Sequence, residues 1–236
     1  MADDGVLQVL EDGEMEVHGR IAGSSNATLL VTCRLGGDEL LAVYKPGRGE
    51  RPLWDFPGGL FRREVAAYVL SESLGWGVVP ETVERKEGPF GPGSVQRFVE
   101  EDGTSHYFTL REEPKWHDEL MRLCAFDVVA NNADRKSGHV LLAEERLWAI
   151  DNGLCFNVHD KLRTVIWDFG GAPLEPGVRG DLARLAHEGP CTPLCRLLEP
   201  DEVAATWDRL AWLLGLGALP EMVDDGSWPP YPWPLV

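Results

Sequence analysis

The stretch NNADRKSGHVLLAEERLWAIDNG, residues 131–153, decides how the rest of the chain is interpreted. Asp134 opens a polar loop just past a helical pattern, and His139 follows five positions later. The apolar segments VLL and LWAI flank residues 143–145, which predicts a β-hairpin. Asp151 ends the second segment, before Asn-Gly. Two carboxylates on adjacent loop ends suit a magnesium and phosphate site, because Mg²⁺ prefers oxygen ligands. The simpler interpretation is two turn-forming Asp residues.

Three antiparallel strands are predicted upstream, within residues 15–45, from the segments MEVHGRI, ATLLVTCRL and ELLAVYK. The separators AGSSN and Gly-Gly-Asp have the chemistry of turns, since Gly and Asn tolerate positive φ. From near Leu60, the segment FRREVAAYVLSESLG keeps apolar residues at helical spacing and predicts a helix. The short β-rich segments VVPETVERK and SVQRFVEE follow it.

The second part of the chain is predicted to be mainly helical. PKWHDELMRLCAFDVVANN, DLARLAHE and PDEVAATWDRLAWLLGLG have helical periodicity, whereas the tail SWPPYPWPLV is too rich in proline for helix or strand. The sequence therefore predicts an α+β fold with two lobes: a β-rich N-terminal lobe over residues 1–99 and a mainly helical C-terminal lobe over residues 100–236.

The order of polar residues along the chain matches the needs of phosphoryl transfer. That reaction needs cations on the phosphates, carboxylates for magnesium and a residue that orients the attacking hydroxyl. Lys45 ends a strand and Glu64 lies beside the apolar face of the next helix, where an acidic group is costly without a cationic partner. Taken singly, each is more simply a solvated side chain. Their order along the chain, followed by Asp134 and Asp151, favours a site for phosphoryl transfer.

The turn at residues 22–26 is a candidate phosphate contact. Its backbone N–H groups and the side chains of Ser24, Ser25 and Asn26 would face phosphate oxygens, as consecutive amides in tight turns do. The simpler interpretation is a plain hairpin turn.

Two of these segments resemble a known family. NNADRKSGHVLL resembles the N-x-D-R-x-x-x-N catalytic loop of the phosphatidylinositol 3- and 4-kinase-like superfamily. AIDNGLCF resembles the I-D-N-G-L-x-F metal segment of its type II phosphatidylinositol 4-kinases, which are compact relatives of HipA-type and secretory-pathway kinases. AVYKPG and REVAAYVLSESLG resemble the family's ATP-lysine strand and glutamate helix, so the resemblance spans residues 17–157.

The resemblance implies a two-lobed kinase fold that uses ATP with Mg²⁺ or Mn²⁺. Lys45 would contact the phosphates, Glu64 would orient Lys45, Asp134 would orient or deprotonate the acceptor hydroxyl, and Asp151 would hold the metal. The adenine would rest against the strand between the lobes, at Gln96, Phe98 and Val99. This chain has His139 where the family usually has a metal-binding Asn. Imidazole suits softer metals, so His139 indicates a manganese preference, a one-metal site, a damaged catalyst, or a histidine that only hydrogen-bonds the loop.

The triplet Asp168-Phe169-Gly170 spells the metal-binding motif of protein kinases but does not follow an apolar strand paired with the Asp134 segment. Asp151 does, so we assign the metal to Asp151. For Asp168 we expect a turn or a loop on the substrate side.

Composition limits the partners. The formal net charge of -17 argues against nucleic acid, and the absence of polybasic segments argues against stable membrane association. Five scattered cysteines, no long apolar run and an N-terminus unlike a secretory signal predict a cytoplasmic protein. The predicted activity is transfer of the ATP γ-phosphoryl group to a hydroxyl of a protein or small molecule, inositol-containing ones included. The alternatives are a nucleotide-binding pseudokinase with a regulatory role and a relative that transfers AMP.

Overall fold

The computed structural model describes residues 4–21, 26–101, 103–223 and 229–235. Five strands form one antiparallel sheet: β1 (Glu14–Arg20), β2 (Leu29–Leu35), β3 (Asp38–Pro46), β4 (Thr82–Arg85) and β5 (Gly93–Arg97). Their order is β1-β2-β3-β5-β4, so β3 lies in the middle with β2 and β5 as neighbours. The three predicted N-terminal strands are confirmed, and Lys45 is the penultimate residue of β3.

A short helix, α1 (Asp4–Asp12), packs on this sheet and was not predicted. Its buried Val9 and Leu10 contact a cluster that includes Val31, Ala42 and Tyr44 of β2 and β3. The helix therefore covers one face of the sheet.

Helix α2 (Leu60–Leu74) begins where the sequence predicted. Glu50 stabilises its N-terminus, because the two carboxylate oxygens accept the backbone N–H groups of Gly59 and Phe61, both at 2.8 Å. Gly75 ends the helix in the left-handed conformation, at φ 74°. These two caps fix the position of the helix that carries Glu64.

The C-terminal half contains five helices among the described residues: α3 (Tyr107–Leu110), α4 (His117–Ala130), α5 (Pro176–Glu188), α6 (Thr192–Leu197) and α7 (Pro200–Leu216). A 3₁₀ turn over Pro114–Trp116 precedes α4. The strands β6 (Val140–Ala143) and β7 (Arg146–Ala149) form the predicted hairpin. The short helices α3 and α6 were not predicted, and α5 begins ahead of the predicted Asp181.

The largest core joins the C-terminal helices to α2. Leu70 and Leu74 of α2 lie in one buried cluster with Leu120 of α4 and Leu210 of α7. The α+β prediction, with an antiparallel sheet in the N-terminal half and helices in the C-terminal half, is confirmed. The lobe boundary at Val99 stays a prediction.

Within the described ranges, every helix is too short or too polar to cross a bilayer.

Candidate active site

Lys45 lies between two carboxylates that come from distant parts of the chain. Its Nζ donates to Oε1 of Glu64, on α2, and to Oδ1 of Asp151 at 2.9 Å, in the loop after β7. Burial opposes the charge on Lys45, but Asp151 and Glu64 more than offset it and raise the pKa of Lys45 above its usual value. The ammonium is therefore charged at any physiological pH.

Glu64 is fixed on its second side by the backbone of the Asp151 loop. The N–H of Asn152 donates to Oε2 of Glu64 at 2.9 Å. A Cβ on Gly153 would lie 3.2 Å from Oε1 of Glu64, which is closer than most Cβ contacts, so a larger residue here would press on this carboxylate. Burial raises the pKa of Glu64, and Lys45 opposes that rise. Sequence reasoning did not assign Asn152 or Gly153, although both stand in the quoted AIDNG segment.

Asp151 adopts a backbone conformation that few residues tolerate. Its φ of 57° lies in the left-handed region, where Asp and Asn are less unfavourable than other side chains. The Lys45 ammonium holds the pKa of Asp151 well below its usual range. Its side chain is 53% exposed and faces the open cavity. An ionised, exposed carboxylate held in a strained conformation is a common feature of functional sites.

His139 faces Asp151 across a short gap. Its Nε2 lies 3.4 Å from Oδ2 of Asp151, and its Nδ1 lies 3.0 Å from the carbonyl oxygen of Asp134. A carbonyl oxygen only accepts hydrogen bonds, so we assign the imidazole proton to Nδ1. The backbone N–H of Lys136 also points at Nδ1, but at the longer distance of 3.4 Å, so the contact with the carbonyl decides the tautomer. Burial lowers the pKa of His139 to about 4, so the ring is neutral. Nε2 therefore presents a lone pair to a carboxylate, an arrangement that a cation between them would stabilise.

Asp134 lies in the loop that follows α4, at the same cavity. Its backbone N–H donates to Oδ1 of Asn132 at 2.9 Å, and its Oδ2 lies 3.0 Å from Nζ of Lys136. Burial raises the pKa of Asp134, with Lys136 opposing. The side chain keeps 24% of its surface exposed and lines the cavity. The Lys136 partner is a second cation that sequence reasoning did not assign.

Arg135 is buried and connects the loop that carries Asp134 to the loop that carries Asp151. Its guanidinium pairs with Asp127 of α4 and donates to Oδ1 of Asn152 at 2.7 Å and to the carbonyl of Ile150 at 2.8 Å. The loop that carries Asp134 and the loop that carries Asp151 therefore share one buried anchor.

Four of the side chains described above, Lys45, Glu64, Asp134 and Asp151, line one cavity of about 220 Å³. Asn26, Glu50 and Arg51 line it as well. Ser24 and Ser25 lie outside the described residues. His139 reaches the site through Asp151.

The residues assigned to adenine do not line this cavity. β5 ends at Arg97, so Phe98 and Val99 lie beyond the strand. Gln96 is buried and donates to Oγ1 of Thr82 at 2.8 Å. Val99 packs instead with Leu141 and Trp148 of the β6–β7 hairpin. The contact of Gln96, Phe98 and Val99 with a nucleotide stays a prediction.

Asp168 lies in a turn away from this cluster. It accepts hydrogen bonds from the hydroxyl of Tyr107 and from Arg111, the latter at 3.2 Å. In the described part of the chain, no three His, Cys, Asp or Glu side chains are grouped to hold a metal. At the cavity, His139 and Asp151 are near enough to each other to share a metal, and its remaining ligands would have to come from elsewhere.

The architecture is that of kinases. The chain superposes on the Golgi casein kinase with Mn and ADP bound with a TM-score of 0.62 and 16% identity, over 99% of this chain and 80% of that one. Hydra Fam20 with sugar gives a TM-score of 0.60 and 14% identity, over 92% and 89%. The Helicobacter pylori proinflammatory kinase CtkA gives 0.53 and 13%, over 86% and 92%. The protein thus has a kinase-like fold.

The sequence has a relative of almost equal extent. It is 38% identical to Protein Rv2133c of Mycobacterium tuberculosis, over 96% of this chain and 94% of that protein. The chain therefore belongs to the same family as Rv2133c. No model of a known protein family matches it.

Proposed function

We propose that this protein is an ATP-dependent phosphotransferase that transfers the γ-phosphoryl group of ATP to a hydroxyl of an acceptor. The observation that carries the proposal is the ion-paired Lys45, held between Glu64 and Asp151 on a cavity that Asp134 also lines. The kinase-like fold supports it. The segments NNADRKSGHVLL and AIDNGLCF support assignment to the phosphatidylinositol-kinase-like type.

Binding of the nucleotide phosphates falls to Lys45. The ammonium is charged and aimed into the cavity by two carboxylates, so it is organised before the phosphates arrive. Asn26 lies on the same cavity and, with Ser24 and Ser25, would contact the phosphates from the first turn of the sheet. Gln96, Phe98 and Val99 would meet the adenine.

Asp151 and His139 would hold a divalent metal. The lone pairs of Asp151 Oδ2 and His139 Nε2 face and repel each other, and a cation bound between them would relieve this repulsion. A bound metal would neutralise charge on the β- and γ-phosphates. A carboxylate suits both Mg²⁺ and Mn²⁺, whereas an imidazole favours Mn²⁺. The Mn²⁺ in the Golgi casein kinase supports this choice.

Asp134 would receive the acceptor hydroxyl. Its carboxylate is partly exposed, and burial raises its pKa toward that of a useful base. Transfer breaks the bond between the γ-phosphorus and the bridging oxygen of ADP and forms a bond to the acceptor oxygen, whose proton passes to Asp134 or water. Lys136, 3.0 Å from Asp134, places a cation beside the transferred group.

The test is transfer by purified protein from ATP labelled at either the α- or the γ-phosphate, with Mg²⁺ and with Mn²⁺. Label from the γ-position in protein or in added acceptors, lost in Asp134→Asn, establishes the phosphotransferase. Label from the α-position would identify transfer of AMP instead. Stabilisation of the protein by nucleotide without either transfer, across an acceptor panel, would reject the proposal in favour of a pseudokinase.

A further inference from the structure

The C-terminal segment of residues 229–235, which we name the strap, lies against the loops of the candidate active site. The carbonyl of Leu235 accepts the backbone N–H of Ser137 at 2.8 Å. The carbonyl of Pro230 accepts two hydrogen bonds, from the N–H of Thr164 at 3.2 Å and from Nε1 of Trp167 at 3.1 Å. Both ends of this segment are thus fixed to other parts of the chain.

Leu235 contacts the turn that carries His139. Ser137 begins the 3₁₀ turn Ser137–His139, and His139 is its last residue. The N–H of Ile150, the residue before Asp151, donates to the carbonyl of His139 at 3.0 Å. A displacement of this turn would therefore change the separation between His139 and Asp151.

Pro230 contacts Thr164, which pairs with Arg135 in the loop that carries Asp134. Thr164 pairs with Arg135 in parallel, and its Oγ1 lies 3.3 Å from Oδ2 of Asp127. The strap therefore reaches the catalytic loop at Ser137 and, through Thr164, at the Arg135–Asp127 pair.

These anchors are shielded from water. Ser137 and Thr164 are 0% exposed, Pro232 is buried, and Leu235 packs against the main core. A buried backbone N–H needs a partner, and here the strap carbonyls are those partners. Without the strap, Ser137 would have to turn toward solvent, which would loosen the His139 turn.

We propose that the strap is a positioning element of the active site. Its docking fixes the Ser137–His139 turn so that Nε2 of His139 faces Oδ2 of Asp151, and these two side chains would hold the metal. The inference rests on the proposed function for its kinetic readout, and metal affinity tests it separately.

The sharpest test is Ser137→Pro compared with Ser137→Ala. Proline suits the first position of the turn because Lys136 before it is extended, with φ −87° and ψ 165°. It removes only the N–H that Leu235 accepts and places Cδ against that carbonyl. Alanine keeps the N–H, and Oγ of Ser137 has no hydrogen-bond partner among the described residues. The pair of variants therefore isolates the contact with the strap.

We expect Ser137→Pro to lower kcat at saturating Mn²⁺ by about 10-fold or more relative to Ser137→Ala, with the KM for ATP within about twofold, because a small misplacement of catalytic groups lowers the rate and not the binding. The affinity for Mn²⁺, measured by electron paramagnetic resonance, should fall by about the same factor. Equal kcat and equal Mn²⁺ affinity in the two variants would overturn the proposal.

Removal of residues 229–236 gives a second test in case proline disturbs the turn itself. The truncated protein should lose Mn²⁺ affinity and show faster hydrogen exchange over residues 131–143, and the synthetic peptide PPYPWPLV should restore both. Unchanged exchange and affinity on truncation would also reject the strap. If the intact protein transfers no phosphate, the proposed function fails, while Mn²⁺ affinity and exchange still decide the role of the strap.

Discussion

Arg135 and Asp127 form an ion pair with both side chains 0% exposed, joined by Nη2 and Oδ1 at 2.9 Å. Asp127 also accepts from Asn132 and Thr164, and Arg135 also binds Asn152. A buried pair repays the cost of desolvation only when such additional hydrogen bonds satisfy the remaining atoms. Here they do, and the same bonds join α4 to both functional loops.

Replacing Asp127 by Leu should destabilise the protein by about 3–5 kcal/mol, because it leaves the Arg135 charge buried without a partner. Urea unfolding monitored by tryptophan fluorescence measures the change. The matched control is Arg34→Gln, which breaks two exposed ion pairs with Glu16 and Glu39 and should cost less than about 1 kcal/mol. Equal losses in the two variants would show that Asp127 contributes no more than a surface charge.

Replacement of Asp134 and replacement of Asp151 should have different effects under the proposed roles. Asp134→Asn should lower kcat by about 10²–10⁴-fold and leave the KM for ATP within a few fold, since Asp134 acts on the acceptor. Asp151→Asn should weaken metal-dependent nucleotide binding, which isothermal titration with and without Mn²⁺ measures. If Asp134→Asn kept the parent kcat, the assignment of Asp134 would be wrong.

Local patterns predicted the strands β1–β3, the helices α2 and α4 and the β6–β7 hairpin. Each of these elements has a clear apolar period and a turn or cap at its end. Helix α1 was missed although Leu7 and Leu10 have helical spacing, because its nine residues are short. The four-residue helix α3 carries too few apolar positions to show a period.

The long-range contacts of the site were harder to predict. The order of elements marked Lys45 and Glu64 as candidates and the family resemblance implied their pairing, and the structure brings them into contact. Arg135 was visible in the motif, but its partner Asp127 stands in an apolar helix segment and looks like an ordinary helix residue. The strap could not be predicted, because it is held by backbone carbonyls. Every residue has a backbone carbonyl, so the sequence of a proline-rich tail does not indicate which groups it will contact.

The pKa of His139 has a measurable consequence for stability. Burial lowers it to about 4 from the ordinary value of 6.5, so between these two values the unfolded chain binds a proton that the folded chain does not. The stabilisation is fully present above pH 6.5 and is lost as the pH falls toward 4, by about 3 kcal/mol in total. The free energy of unfolding of the parent should therefore fall more steeply over this range than that of His139→Asn. Parallel curves would show that the pKa of His139 is ordinary.

The choice of metal provides a final prediction, because this chain has His139 at the position where the kinases that it resembles usually have Asn. Its Nε2 presents a lone pair to the same space as Oδ2 of Asp151, 3.4 Å away. The preference for Mn²⁺ over Mg²⁺ is greater for an imidazole nitrogen than for an amide oxygen. We therefore expect the parent to work better with Mn²⁺ and His139→Asn to shift the ratio of kcat/KM values toward Mg²⁺ by about 10-fold.

The control for this prediction is His159→Asn, which changes an exposed histidine and should leave the metal ratio near that of the parent. Competition between the two metals in nucleotide binding gives a readout that does not depend on turnover. A His139→Asn protein with the parent's Mn²⁺ to Mg²⁺ ratio in both measurements would show that the imidazole only hydrogen-bonds its loop, through Nδ1 and the carbonyl of Asp134. In that case Asp151 alone would supply the protein's ligand to the metal.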